Sequence, residues 1–88
     1  MHTIDIIIIM KKIAKNKNLL IKFGKHVKSL REKNKLSQEE LAYKAGLHRT
    51  YIGMIERGEK NITLINIEKI ANAFNIPLNK LMEFNSGE

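Results

Sequence analysis

Eighty-eight residues make one domain, too short for two cores with a catalytic cleft between them. The absence of cysteine excludes disulfide staples and thiolate-held zinc or iron–sulfur sites, and is compatible with a reducing cytoplasm. The formal net charge of +7 is concentrated: residues 11–35 hold ten Lys or Arg against Glu32 alone, whereas residues 36–88 hold six basic against seven acidic residues. A basic segment leading into a neutral one suggests a polyanionic partner, although thirteen Lys against three Arg, with fourteen Ile and nine Asn, is also what A·T-rich coding favours.

The chain opens MHTIDIIIIMKKIAKNKN. Its apolar run from Ile4 to Met10 is far shorter than the ~20 residues of a membrane span. The positive charges follow the run and no small-residue cleavage site appears, so it does not read as a signal peptide. Consecutive isoleucines favour an extended strand over a helix. Residues 1–16 are therefore expected to be an arm, disordered or strand-like. They could also be sequence upstream of a start at Met10, or a strand pairing across a dimer. An exposed run of this kind invites aggregation unless it is paired.

From Lys17 onward the pattern is helical. Leu20, Phe23, Val27 and Leu30 recur at three- and four-residue steps, which predicts a first helix over about Asn18 to Asn34. Leu36 should pack as a plug after it. Ser37 with Glu40 three residues later makes a capping box, placing a second helix at Gln38 to Ala45. Gly46 follows where a left-handed residue ends a helix, a conformation open to glycine. A third helix restarts near His48 or Arg49 and runs to Arg57, with Gly58 as its stop. Thr63 caps a fourth, Leu64 to Phe74, with the stripe Ile67, Ile70, Ala71 and Phe74. Pro77 suits the first turn of a short fifth, Pro77 to Glu83. The reading is an all-α fold of five helices over residues 17–84, with a tail at 85–88.

Residues 38–57 hold two short helices around a glycine turn. Leu41 and Ala45 form one apolar stripe, Ile52 and Ile55 another, and Leu47 sits in the turn. Ala42 is small where the two helices would cross, letting their axes approach. A tight turn with a small residue at the crossing is the helix-turn-helix.

SQEELA (37–42), AGL (45–47) and IERG (55–58) resemble the phage-repressor-like, or Xre, helix-turn-helix family over about residues 20–83. LAYKAGLHRTYIGMIERGEKNITL is most similar to the controller proteins of restriction–modification systems, which share the LAYK…RTYI…IER run. The resemblance implies a five-helix phage-repressor-like DNA-binding domain whose third helix enters the major groove of duplex DNA. That groove is about 12 Å wide and admits one helix, whose N-terminal residues reach base edges. Arg49 can then pair with guanine O6 and N7, and Thr50 can meet a base or a thymine methyl. Tyr51 can pack on sugar and donate to phosphate. His48 belongs to the same first turn and to the expected DNA-contact set, more as a cap or turn residue than as a reader of bases. In the family the SQEE segment contacts phosphate, which falls on Gln38 at the start of helix two, where the helix dipole helps. Arg57, Lys60 and Asn61 match positions where family members touch the backbone; Tyr43 and Lys44 are weaker candidates. A family pair linking helices one and three falls on Arg31 and Glu56, a structural contact. Gly53 departs from the serine often found in controller-like sequences. Facing outward, it would let the helix approach DNA closely or give Met54 or Tyr51 room to tilt.

One helix in one groove gives little specificity, so such domains act as symmetric pairs on palindromic sites. Leu64, Ile65, Leu78, Leu81, Met82 and Phe84 are expected to form a homodimer interface. The resulting reading is a homodimeric, sequence-specific transcription regulator. An Xre-type antitoxin with a toxin partner is the cousin reading, and an antirepressor that never touches DNA is the rival of a different class. The retained Arg49, Thr50, Tyr51, Arg57 and Lys60 speak against the antirepressor. His2, His26 and His48 share no metal-ligand spacing, and neither a phosphate loop nor a nucleophile–base pair is present. Enzyme, metal, cofactor and membrane roles are therefore not expected.

Overall fold

Thr3–Lys33 form one uninterrupted helix, α1. The structure, a computed structural model, describes residues 3–84; Met1, His2 and the tail expected at 85–88 lie outside the described residues. The expectation for the N-terminal arm is corrected: residues 3–16 are neither strand nor disordered but the first half of α1, which begins at Thr3 rather than Asn18. Isoleucine favours strands, yet an unpaired strand leaves its backbone N–H and C=O groups without partners. Extending a helix that is already nucleated satisfies all but those of its first turn within the segment. No strand occurs among the described residues. Sequence spacing agrees with the helix, because Ile6, Ile9, Ile13 and Asn16 prolong the Leu20, Phe23, Val27, Leu30 stripe. At 1.5 Å per residue the 31 residues of α1 span about 46 Å, which sets the 48 Å long axis of the molecule.

The remaining helices are α2 (Gln38–Ala45), α3 (Arg49–Glu56), α4 (Leu64–Ala73) and α5 (Leu78–Leu81). Local chemistry sets their ends. The Ser37 hydroxyl accepts from the Glu40 N–H at 3.0 Å and the Glu40 carboxylate accepts from the Ser37 N–H at 2.9 Å, closing the capping box. Gly46 ends α2 at φ 67°, and Thr63 caps α4 through the Asn66 N–H. Pro77 precedes α5 as its cap.

The core lies where α1 through α5 converge. Val27, Leu41, Ile52, Ile55, Ile70 and Leu81 are fully buried, each stabilising the fold by ~1.5–3 kcal/mol. Leu36 packs on this core as the expected plug. Ala42 is buried at the α2–α3 crossing, and its carbonyl accepts from the Leu47 N–H at 2.9 Å, tightening the turn. At the α1–α3 crossing the spacer is Gly24. A Cβ there would overlap the Ile55 carbonyl oxygen and stand 2.8 Å from that of Glu56, so only glycine lets α1 touch the α3 backbone.

Two residues expected at a dimer interface are drawn inward. Leu81 is a core residue with no exposure, because the four-residue α5 turns it under α4. Phe84 is half-buried, its ring 5.9 Å from Phe23 and 5.6 Å from His26. Leu78 is half-buried, while Leu64, Ile65 and Met82 are exposed. Among the described residues no helix is long and apolar enough to cross a membrane.

Candidate nucleic-acid interface

His48 stands at the N-cap of α3, its Nδ1 accepting from the Thr50 N–H at 3.4 Å. That start leaves Arg49 and Thr50 exposed in the first turn, while Ile52, Ile55 and Glu56 turn inward. Arg49 and Thr50 share a surface groove with Gln38, Gly53 and Arg57. Of the residues singled out in the sequence, these five are brought together.

Beneath the groove lies a polar network. Arg31 Nε and Nη2 donate to Glu56 Oε2 and Oε1 at 2.7 and 3.1 Å, and Arg31 Nη1 donates to the Leu36 carbonyl at 2.8 Å. The two side chains are 12% and 4% exposed, so this is a desolvated, bidentate pair. The hydrogen bonding that Arg31 donates to Glu56 raises the Arg31 pKa above its ordinary value. Gln38 joins the pair: its Nε2 donates to Glu56 Oε1 at 3.0 Å. The Gln38 amide nitrogen is thus held by the buried carboxylate, while its Oε1 lies on the groove side beside Gly53. One carboxylate thereby ties the end of α3 to α1 and to the first residue of α2.

Gly53 has little exposed surface of its own, and it lines the groove between Gln38 and Arg57. An added Cβ would meet Arg57 Nη1 at 3.2 Å and Gln38 Oε1 at 3.7 Å, so the space it leaves holds Arg57, not Met54 or Tyr51. Arg57 is exposed and grips Glu59 through Nε (2.8 Å) and Nη2 (3.2 Å). That hydrogen bond holds the Glu59 carboxyl below the usual range and raises the Arg57 pKa.

Other expected contacts lie outside the groove. Tyr51 is half-buried against the core, and its hydroxyl accepts from Asn66 Nδ2 at 3.1 Å, which points it toward α4. Met54 is half-buried. Tyr43, 89% exposed, sits on the far face of α2 with Glu39, Glu40 and Lys44. Lys60 and Asn61 are exposed beyond α3, and Asn61 faces Leu19 and Leu20 of α1. Sequence reasoning missed Gly24, Asn66 and the Leu36 carbonyl. Only Gly24 carried a signal, as a glycine inside a helical pattern.

Residues 27–81, which contain the capped α2–turn–α3 unit, match the family model described as helix-turn-helix. The chain belongs to the Xre-type helix-turn-helix family. Within this helix-turn-helix family it is similar to control protein C.BamHI of Bacillus amyloliquefaciens, with 46% identity over 68 residues, 76% of this chain and 84% of the relative. The crystal structure of the restriction–modification controller protein C.AhdI from Aeromonas hydrophila superposes with a TM-score of 0.69 at 47% identity, covering 70% of this chain and 94% of that one. The controller protein C.Esp1396I, solved as a tetramer with its natural 35 base-pair operator, superposes with a TM-score of 0.69 at 37% identity, covering 74% and 86%. The helix-turn-helix is thus embedded in the same all-helical frame as these controller proteins.

Proposed function

We propose that this protein is a sequence-specific, DNA-binding transcription regulator that acts as a homodimer, of the kind that controls a restriction–modification system. The observation that carries the reading is the first turn of α3. Arg49 and Thr50 stand exposed there, while the same helix is anchored from behind by Glu56 to Arg31 and Gln38. An exposed arginine on a rigid helix start reads a guanine edge through two parallel hydrogen bonds.

Arg57, on the far wall of the groove, is free to exchange Glu59 for a phosphate, since both side chains are about half exposed. Lys60 extends that edge, and Gln38 acts indirectly, holding Glu56 while its own backbone N–H lies in the first turn of α2. The operator-bound tetramer of C.Esp1396I supports duplex DNA as the partner and assembly of copies as the binding form. No catalytic role and a cytoplasmic location complete the proposal.

Selection of bound duplexes from a random pool tests it. A palindromic consensus with affinity falling steeply as salt rises is expected, because phosphate contacts release counterions. No enriched sequence, or salt-independent affinity, would overturn it.

A further inference from the structure

Tyr51 leaves α3 on a different side from Arg49. Successive residues of a helix are about 100° apart, so the exposed Thr50 points outward between Arg49 and Tyr51. Arg49 lines the groove with Gln38 of α2. Tyr51, about 200° round the axis from Arg49, leans toward α4, where its Oη accepts from Asn66 Nδ2 at 3.1 Å. Tyr51 and Asn66 are both half-buried. The two flanks of α3 therefore differ: one carries arginines and the Gln38 amide, the other a phenol held by an amide. Asn66 is itself fixed, because it is the third residue of α4 and its N–H donates to Thr63 Oγ1 at 3.2 Å in the N-cap.

We infer that Asn66 is a positioning residue for DNA binding, holding Tyr51 so that the phenol gives its hydrogen to an operator phosphate on the flank of α3 opposite Gln38. A helix lying in the major groove has a phosphate strand on either side, and contacts to both strands set its register. Gln38 and Arg57 stand toward one of them, and the start of α4 stands toward the other. The direction of the hydrogen bond decides what Tyr51 can do. A phenol has one hydrogen to donate and lone pairs to accept with, and the Asn66 NH₂ group can only donate. With Asn66 donating to Oη, the tyrosine hydrogen is left over, and no acceptor takes it among the described residues. Phosphate oxygens only accept, so they match a hydroxyl in that state. Holding the ring beforehand also removes rotamer freedom that would otherwise be lost on binding. The role of Asn66 rests on the DNA-binding reading above and names a residue outside the reading groove that serves it.

The test uses the full chain and a duplex carrying the consensus that it selects. Asn66→Ala retains the backbone N–H that Thr63 caps, so α4 keeps its start. Tyr51→Phe and Asn66→Ala should each raise the operator Kd about three- to tenfold, the effect of one lost hydrogen bond. In the Tyr51→Phe background Asn66→Ala should change the Kd by less than about twofold, whereas in the Arg49→Ala background its full effect should return. Neither side chain carries a charge or reads a base, so the salt slope and the base preference should match those of the parent chain. A contact that only supports the fold would lower the Tm and leave the two binding losses additive. Additive losses, or an Asn66→Ala chain that binds as tightly as its parent, would overturn the inference and leave the regulator reading standing. A parent chain that selects no duplex sinks the regulator reading, and this role with it.

Discussion

Gln38 Nε2 donates to Glu56 Oε1 at 3.0 Å, so the first residue of α2 holds the carboxylate that anchors the end of α3. The same oxygen accepts from Arg31 Nη2 at 3.1 Å. Three helices thus meet on one acid, and the orientation of α3 depends on groups 18 and 25 residues away in sequence.

Arg31→Ala should destabilise the fold by about 3–5 kcal/mol in urea unfolding, because it removes the cation from the buried Glu56 carboxylate and leaves it the neutral Gln38 amide. A loss below about 1 kcal/mol would show that the pair is solvated in practice. Arg31→Lys should recover little, since an ammonium cannot reproduce the bidentate geometry.

Gly24→Ala should cost at least about 1–3 kcal/mol, since the added methyl meets backbone carbonyls that cannot rotate away. Thermal unfolding checks this. An unchanged Tm would mean that α1 does not touch α3 at this point.

Gly53→Ala has the opposite sign. The new methyl crowds only the exposed, flexible end of Arg57, while helix propensity gains up to ~1 kcal/mol. The variant should melt higher but bind operator more weakly, because Arg57 is displaced from the groove. Stability rising with affinity unaltered would dissociate Gly53 from DNA contact.

Arg49→Ala should cost about 1–3 kcal/mol in operator binding and relax preference at one base position. Glu59→Gln should strengthen binding to all sequences by releasing Arg57 from its ion pair. Competition binding with single-base operator variants separates the two. A uniform loss for Arg49→Ala would place it on the phosphates.

The Glu40 carboxyl lies below the usual range because it accepts from the Ser37 N–H first and the Ser37 hydroxyl second. A group lowered in the folded state contributes its stabilisation fully above its unfolded value, about 4.3, and loses it as pH falls through the folded value. Stability should therefore decline below about pH 4.3, and Glu40→Gln should flatten that part of the profile. An identical acid limb in the variant would remove the capping box as a source.

Much of this molecule is legible one helical turn at a time. The bounds of α2, its capping box, the left-handed Gly46 and the Thr63 cap depend on groups within three or four residues, so residue type and spacing determine them without knowledge of the fold. The exposure of Arg49 and Thr50 follows from the inward phase of Ile52 and Ile55 for the same reason. Packing decided the rest. Whether the isoleucine run became strand or helix depended on a neighbouring strand, and none exists among the described residues. Gly24 acquires its role only where α1 crosses the carbonyls of Ile55 and Glu56. Gln38 turned from solvent to Glu56 and Leu81 from surface to core because those partners arrive from other helices, and no local pattern encodes that approach.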